Sequence, residues 1–84
     1  MSHYVYILHS TSRDRYYIGS TSDIEERLKR HNAGATPSTK GGRPWKIVYR
    51  EEFPTRSEAL KRENQIKRQK SRQYIEQLLG SSSG

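Results

Sequence analysis

The sequence predicts an α+β fold in which a small three-stranded β-sheet is flanked by helices in the order β-β-α-β-α-α. Three short segments alternate apolar and polar residues as strands do, at residues 4–8, 16–20 and 45–50. Two N-capping patterns, at residues 22–25 and 55–58, predict helices after the second and third strands. Crossovers between parallel strands are right-handed in nearly all proteins, so we expect the second and third strands to run parallel with the first between them.

The first two predicted strands form a hairpin that contains four of the six tyrosines in the chain. With a turn of four residues, Ser10 to Arg13, Tyr6 would lie directly opposite Tyr17. In that register two phenols stand side by side on one face of the sheet. Such a pair suits either a hydrophobic core or a functional site, and the remainder of the sequence decides between them.

Helices are expected over residues 22–32, 55–70 and 71–79. Ser22 and Glu25 have the spacing of a capping box, in which each side chain binds a backbone N–H of the first helical turn. The last of the three helices is short, and its apolar residues recur at helical spacing. All three helices can therefore cover the sheet.

The 84 residues are enough for one domain with a thin core, because only 30% of them are hydrophobic. We expect the domain to comprise residues 1–79, with a loop at residues 35–44 and a disordered Gly-Ser tail at residues 80–84 that resembles a cloning addition. The absence of cysteine excludes disulfides and cysteine zinc sites, and it is typical of a cytoplasmic protein. No apolar run approaches the roughly 20 residues of a membrane span, so no membrane association is expected.

The balance of charge indicates a polyanionic partner. Sixteen Lys and Arg residues against nine Asp and Glu residues give a formal charge of +7 and a pI near 10. A basic surface can serve solubility alone, but in so small a domain nucleic acid is the favoured interpretation.

The first helix places two polar side chains on its apolar face. Arg27 and His31 fall in the same arc as Ile24 and Leu28, so they are expected to point toward the sheet rather than to water. Taken alone, this pattern is also typical of an arginine whose stem covers the core edge and of a hydrogen-bonded boundary histidine.

The second helix repeats the pattern with a carboxylate. Glu63 falls in the middle of an arc that contains Ala59, Leu60 and Ile66. A buried carboxylate is rarely left unpaired. One interpretation is a salt bridge to Arg27, and the other is a divalent cation, since Mg²⁺ often binds one or two carboxylates together with waters and phosphates.

These groups together are those that phosphodiester hydrolysis requires. A metal polarises the phosphate, an arginine stabilises the charge that develops, and a base orients or deprotonates water. Tyrosine is a weak base at its ordinary pKa of about 10, so we expect nearby cations such as Arg27 to lower the pKa of the catalytic phenol.

The chain resembles the GIY-YIG endonuclease superfamily at these residues. Tyr17-Ile18-Gly19 keeps the second half of the motif, eleven residues after Tyr6, whereas Tyr4-Val5-Tyr6 keeps only the tyrosine of the first half. The segments "RLKRHN", "GGRPWKIVY" and "EALKRENQIK" are similar to three further family motifs, and the resemblance covers residues 3 to 79. The small stand-alone bacterial branch is the most similar part of the superfamily.

The resemblance implies hydrolysis of nucleic acid with a single Mg²⁺ or Mn²⁺ ion. Tyr6 would orient or deprotonate water with support from Tyr17, and Arg27 would bind the phosphate. His31 would assist by a hydrogen bond, and Glu63 would hold the metal. Family nucleases with known targets usually carry a separate DNA-recognition domain, which this sequence lacks, so we expect a protein partner to supply specificity to a monomeric domain.

The basic residues around the loop and the second helix are the expected contacts to nucleic acid: Lys40, Arg43, Arg56, Lys61, Arg62, Lys67, Arg68, Lys70 and Arg72. The favoured interpretation is an Mg²⁺-dependent endonuclease acting on DNA. The alternatives are a non-catalytic nucleic-acid-binding module on the same fold and a protein-interaction adaptor whose charge only keeps it soluble.

Overall fold

The computed structural model describes residues 2–82, with side chains to residue 80. Its elements are β1 (His3–Ser10), β2 (Arg15–Thr21), α1 (Ile24–Asn32), α2 (Pro37–Lys40), β3 (Trp45–Phe53), α3 (Arg56–Gln69) and α4 (Arg72–Ser82). The α+β fold and its β-β-α-β-α-α order are confirmed, with the four-residue α2 as an addition. None of the helices in residues 2–82 is long and apolar enough to cross a membrane.

The sheet has the strand order β2-β1-β3, and β1 pairs antiparallel with both neighbours. The two outer strands are therefore parallel to each other with β1 between them, as the crossover rule predicts. This arrangement makes β2 an edge strand, and its free edge is the place where groups from opposite faces of the sheet can meet.

Each face of the sheet has its own hydrophobic cluster. Val5 and Ile7 point to the face that α3 and α4 cover, where they pack with Ala59, Ile66 and Ile75. The other face is covered by α1. Its cluster consists of buried Tyr6, Leu8, Ile24 and Trp45, with Tyr17 and Leu28 packed against them. Alternation along β1 thus divides its side chains between two thin cores.

The hairpin register differs from the predicted one by two residues. Tyr6 is opposite Gly19 and Leu8 is opposite Tyr17, because β1 continues to Ser10. The Ser10 hydroxyl donates to the Gly42 carbonyl oxygen (2.5 Å), which ties the end of β1 to a distant loop. A shift of two residues preserves the face of every side chain, so both phenols remain on the same side.

The capping patterns in the sequence predicted where α1 and α3 begin to within one residue, but they did not predict α2. Thr55 caps α3 as predicted, accepting from the Glu58 backbone N–H (3.2 Å). At α1 the cap is Asp23 rather than Ser22, since the Asp23 carboxylate accepts from the Glu26 N–H (3.1 Å). The segment expected to be a loop contains α2, which begins at Pro37, where a missing N–H costs nothing.

The carboxyl end of the chain continues further in helical form than the sequence predicts. Helix α4 extends to Ser82, so it includes three residues of the segment assigned to the Gly-Ser tail. The remainder of that predicted tail, residues 83 and 84, lies outside the described residues.

Candidate active site

The centre of the candidate site is Tyr6, whose ring points from β1 toward β2 beneath α1. The residue is only 1% exposed. Its hydroxyl lies against Gly19, where a Cβ atom would come within 2.6 Å of the oxygen. Gly19 therefore leaves the space through which the Tyr6 oxygen reaches the edge strand, which is a physical reason for glycine in the Tyr-Ile-Gly segment.

His31 is the hydrogen-bond partner of Tyr6. It is fully buried, with Nε2 3.1 Å from the Tyr6 oxygen and Nδ1 2.8 Å from Thr39 Oγ1. The Thr39 hydroxyl donates to the Thr36 carbonyl oxygen (3.3 Å), so it accepts from the Nδ1–H of His31. Nε2 is then left without a proton and accepts from the Tyr6 hydroxyl.

The environment keeps both partners neutral. Burial, reinforced by the nearby Arg27 charge, lowers the pKa of His31. Burial is also the main reason that the pKa of Tyr6 is raised, with Tyr17 and Glu63 adding to the effect and Arg27 opposing it. The expectation that cations lower the pKa of this phenol is therefore wrong in direction, because the cost of desolvating a phenolate exceeds the attraction to Arg27.

The second phenol completes an aromatic cluster around the histidine. The Tyr17 ring lies 4.9 Å from the His31 ring and 6.5 Å from the Tyr6 ring, centroid to centroid. Unlike Tyr6, Tyr17 is partly exposed, so its ring forms the boundary between the buried pair and solvent. The structure thus brings Tyr6, Tyr17 and His31 together.

Arg27 lies on α1 at the edge of this cluster. It is half-buried and lines two shallow depressions that also contain Thr21 and Ser22. Its charge acts on both Tyr6 and His31. The arginine therefore points to the same place as the phenols, and part of it remains accessible to an anion.

Glu63 approaches the site from the opposite face, past the edge of β2. Its side chain is 13% exposed, accepts from the Ser20 hydroxyl (2.8 Å) and forms an ion pair with Lys67 (2.6 Å). The salt bridge between Glu63 and Arg27, one of the two interpretations of the sequence, is not formed. The Glu63 charge is nevertheless close enough to Tyr6 to add to the raised pKa of the phenol.

The donor set around Glu63 fits one hard cation held in part by other ligands. Residues 2–82 contain no group of three or more His, Asp or Glu side chains that could hold a metal ion. The Glu63 carboxylate nevertheless already binds a cation, the Lys67 ammonium group, beside the Ser20 hydroxyl oxygen. One carboxylate with oxygen neighbours suits Mg²⁺, which usually retains waters and binds phosphate.

The predicted nucleic-acid contacts divide into two groups. Arg62 makes two hydrogen bonds to the Glu51 carboxylate, and Arg72 binds Asp14 and Glu76, so ion pairs occupy both guanidinium groups. Lys67 is occupied by Glu63, and Arg43 Nε donates to the Lys40 carbonyl oxygen. Of the nine predicted contacts, six have no ion pair to another described residue: Lys40, Arg43, Arg56, Lys61, Arg68 and Lys70.

Sequence reasoning missed two residues that position the site. Thr39 binds the far nitrogen of His31 from a segment predicted to be a loop, and no local pattern identified it. Ser20 binds Glu63, and its place directly after the Tyr-Ile-Gly segment was the only available signal. The Ser20–Glu63 contact joins residues 43 positions apart, and the His31–Thr39 contact joins two separate helices.

The fold and the site define a GIY-YIG domain. A family model described as the GIY-YIG catalytic domain matches residues 2–76, so the chain belongs to this family. Similar proteins include the UPF0213 protein of Haloquadratum walsbyi, 44% identical over 79 residues that cover 89% of this chain and 88% of that protein. A UPF0213 protein of Staphylococcus saprophyticus is 47% identical over 66 residues, covering 77% of this chain and 79% of the relative.

A solved structure of a similar protein supports the same family assignment. The solution NMR structure of the UPF0213 protein from Bacillus halodurans matches with a TM-score of 0.63 and 36% identity, over 100% of this chain and 88% of that one. The relatives are small single-domain proteins, as the sequence resemblance indicates.

Proposed function

We propose that this protein is a metal-dependent endonuclease that hydrolyses phosphodiester bonds in nucleic acid, with DNA as the substrate. The observation that carries the proposal is the hydrogen bond from the buried Tyr6 hydroxyl to an unprotonated His31 nitrogen, beside Arg27, in a GIY-YIG domain. A net charge of +7 suits a polyanionic substrate.

The Tyr6–His31 pair supplies a route for a proton. A buried phenol with a raised pKa does not ionise by itself near neutral pH. If it passes its own proton to His31 Nε2 while taking one from water, no isolated phenolate forms. The Nδ1–H bond to Thr39 keeps the receiving nitrogen directed at Tyr6.

Arg27 and Tyr17 would bind the phosphate. The guanidinium group can donate two parallel hydrogen bonds to phosphate oxygens and stabilise the charge that develops in the transition state. Tyr17 is the partly exposed phenol of the pair, so its hydroxyl can donate to the same phosphate.

Glu63 would hold the divalent ion, with the Ser20 hydroxyl beside it. When bound, Mg²⁺ or Mn²⁺ supplies charge neutralisation at the phosphate and at the leaving oxygen. Lys67 must then leave the carboxylate, and its flexible, half-exposed side chain can turn to solvent.

The decisive experiment combines metal titration with cleavage. We expect Mg²⁺ to shift backbone NMR signals around Glu63 and Ser20, and a panel of branched, nicked and single-stranded DNA to be cut only with metal present. Glu63→Gln should abolish both effects. The matched control is Glu25→Gln, an exposed acidic residue in the first turn of α1.

One observation favours a second candidate, a non-catalytic nucleic-acid-binding module. Both oxygens of the Glu63 carboxylate have partners in the protein, Ser20 and Lys67, as a purely structural residue would. Lys67→Met distinguishes the two functions. A nuclease should bind Mg²⁺ more tightly once the competing ammonium is removed, whereas a binding module should show no metal response and no cleavage.

A further inference from the structure

A cleft beside the candidate site lies between the β1–β2 turn and the segment that joins α2 to β3. Its volume is about 230 Å³, and the lining includes Arg13, Arg15, Tyr17, Gly41, Gly42 and Trp45. This is smaller than the roughly 300–1,000 Å³ of pockets for whole small molecules, so the cleft suits one unit of a larger molecule.

The cleft is continuous with the candidate site along β2. Arg15 and Tyr17 alternate with Tyr16, so both point to the face that carries Tyr6. Two residues along a strand span about 7 Å. Arg15 therefore lies about 7 Å from Tyr17 along β2. Arg13 comes two residues before Arg15, in the turn.

The charges of the cleft are unopposed. Neither the Arg13 nor the Arg15 guanidinium group has an ion pair or hydrogen bond among the described residues. The one acidic residue of the turn, Asp14, is bound by His9 and Arg72. Two free guanidinium groups at the mouth of a cleft suit phosphate, because each can donate paired hydrogen bonds to it.

The inner surface of the cleft is aromatic and rigid. Trp45 is 6% exposed, its Nε1–H donates to the Thr39 carbonyl oxygen (2.7 Å), and the centroid of the Tyr17 ring lies 6.4 Å from that of the indole. Gly42 allows the indole to lie against the backbone, since a Cβ there would meet the ring at 2.4 Å. Aromatic surfaces beside guanidinium groups are typical of sites for single nucleic-acid strands, where bases stack.

We propose that this cleft holds one unpaired nucleotide of the substrate strand, next to the phosphate at the candidate active site. Arg13 and Arg15 bind the phosphate of that nucleotide, and its base enters between the turn and Gly41. A base enclosed by protein on both sides cannot keep its complementary partner. The inference rests on the proposed function and narrows the substrate to nucleic acid with a single-stranded segment beside the cut.

The test uses the single tryptophan of the chain as a probe, in EDTA so that no cleavage intervenes. Titration with pentathymidylate should change the Trp45 fluorescence, and a blunt DNA duplex should not. Each of Arg13→Ala and Arg15→Ala should weaken binding at least about tenfold. Each should also lower the slope of log affinity against log salt by about 0.7. The control is Lys46→Ala, which removes one charge from the opposite face of the sheet.

The outcomes separate the two proposals. Unchanged affinity and salt slope in both arginine variants, or an equal Trp45 response to the duplex, would overturn the cleft assignment while cleavage could continue. A wild-type protein that shows the expected Trp45 response but cuts no substrate with Mg²⁺ would contradict the nuclease and support the cleft. Absence of any binding to pentathymidylate would overturn the cleft assignment.

Discussion

Tyr6 combines burial with a hydrogen bond to a neutral histidine, and this combination decides how it can act. The phenol is 1% exposed and its pKa is raised, so in the proposed function proton transfer would be coupled to His31 rather than follow prior ionisation. The coupling depends on a distance of 3.1 Å between the Tyr6 oxygen and His31 Nε2. Small displacements of either ring should therefore affect activity strongly.

Tyr6→Phe removes the oxygen and keeps the ring. We expect cleavage to fall by about 10²–10⁴-fold, the usual contribution of a general base. Unfolding free energy should fall by about 1–3 kcal/mol, because buried His31 Nε2 loses its donor. The control is Tyr4→Phe, on the same face of β1 but only half-buried. Equal losses of cleavage in the two variants would mean that the phenols serve packing alone.

Gly19→Ala tests the space that the Tyr6 hydroxyl occupies. The new methyl group would lie 2.6 Å from the oxygen and 2.7 Å from Cζ of the ring, so the phenol must move away from its present position. Overpacking of this kind costs about 1–3 kcal/mol, and cleavage should be lost with it. Gly80→Ala is the matched control, since a Cβ there meets no atom of the described residues within 4 Å, and thermal unfolding and cleavage should remain as in the wild type.

His31 should make stability depend on pH. Its pKa is lowered in the folded protein, so below the unfolded value of about 6.5 the unfolded chain binds more protons. The stabilisation is complete above that pH and is lost as the pH falls toward the lower, folded value. Denaturant unfolding of wild type should weaken from pH 7 to pH 5, and His31→Gln should reduce this dependence. His3→Gln, at the start of β1, should retain it.

Helix α2 is the element that orients His31, the proton acceptor of the proposed function. Its four residues bring Thr39 to the far side of His31, and the Thr39 carbonyl oxygen also accepts from Trp45. A short helix in a segment that was predicted to be a loop thus connects the candidate site to the cleft beside it.

Thr39→Val tests this role because it replaces the hydroxyl by a methyl group of similar size. The Nδ1–H of His31 loses its acceptor, so the tautomer that leaves Nε2 free is no longer favoured. We expect kcat to fall by about 10–100-fold, as for other residues that orient a functional histidine, with little change in KM. Thr39→Ser retains the hydroxyl and should restore most of the rate. Similar losses in both variants would show that packing, not the hydroxyl, is responsible.

At the scale of the whole molecule, ion pairs reduce the charge available to a substrate. Arg62, Lys67 and Arg72 each bind an acidic side chain, so these three cations are less available to a phosphate. The other basic residues account for most of the attraction that a net charge of +7 exerts on a polyanion. Lys61 and Arg68 lie seven residues apart on α3 and share one exposed face. They are the better candidates for contacts to a DNA backbone.

Binding to duplex DNA should weaken with salt in proportion to the phosphates neutralised. The double variant Lys61→Ala with Arg68→Ala should lower the slope of log affinity against log salt by about 2, close to 0.9 for each contact. Arg62→Ala should leave that slope unchanged and lower thermal stability instead, because half-buried Glu51 loses its ion pair and keeps only the hydrogen bond from Tyr49. A salt-independent affinity in the wild type would remove nucleic acid from the proposed function.

The sequence by itself determined the features that depend on neighbours along the chain. Strand alternation placed Tyr6 and Tyr17 on one face, Thr55 marked the start of α3, and the spacing of Arg27 and His31 turned both toward the sheet. These signals act over a few residues, and a two-residue error in register did not disturb them, because side chains on a strand alternate with period two.

Only the tertiary structure decided the contacts between distant segments. A hydrogen bond from Ser10 to Gly42 joins the end of β1 to a distant loop, and the direction of the Tyr6 pKa shift follows from burial that several segments create together. The acceptor for His31 comes from Thr39 in an unexpected helix. Burial and tertiary hydrogen bonds depend on residues from several segments of the chain. The periodicity of one segment therefore cannot predict them.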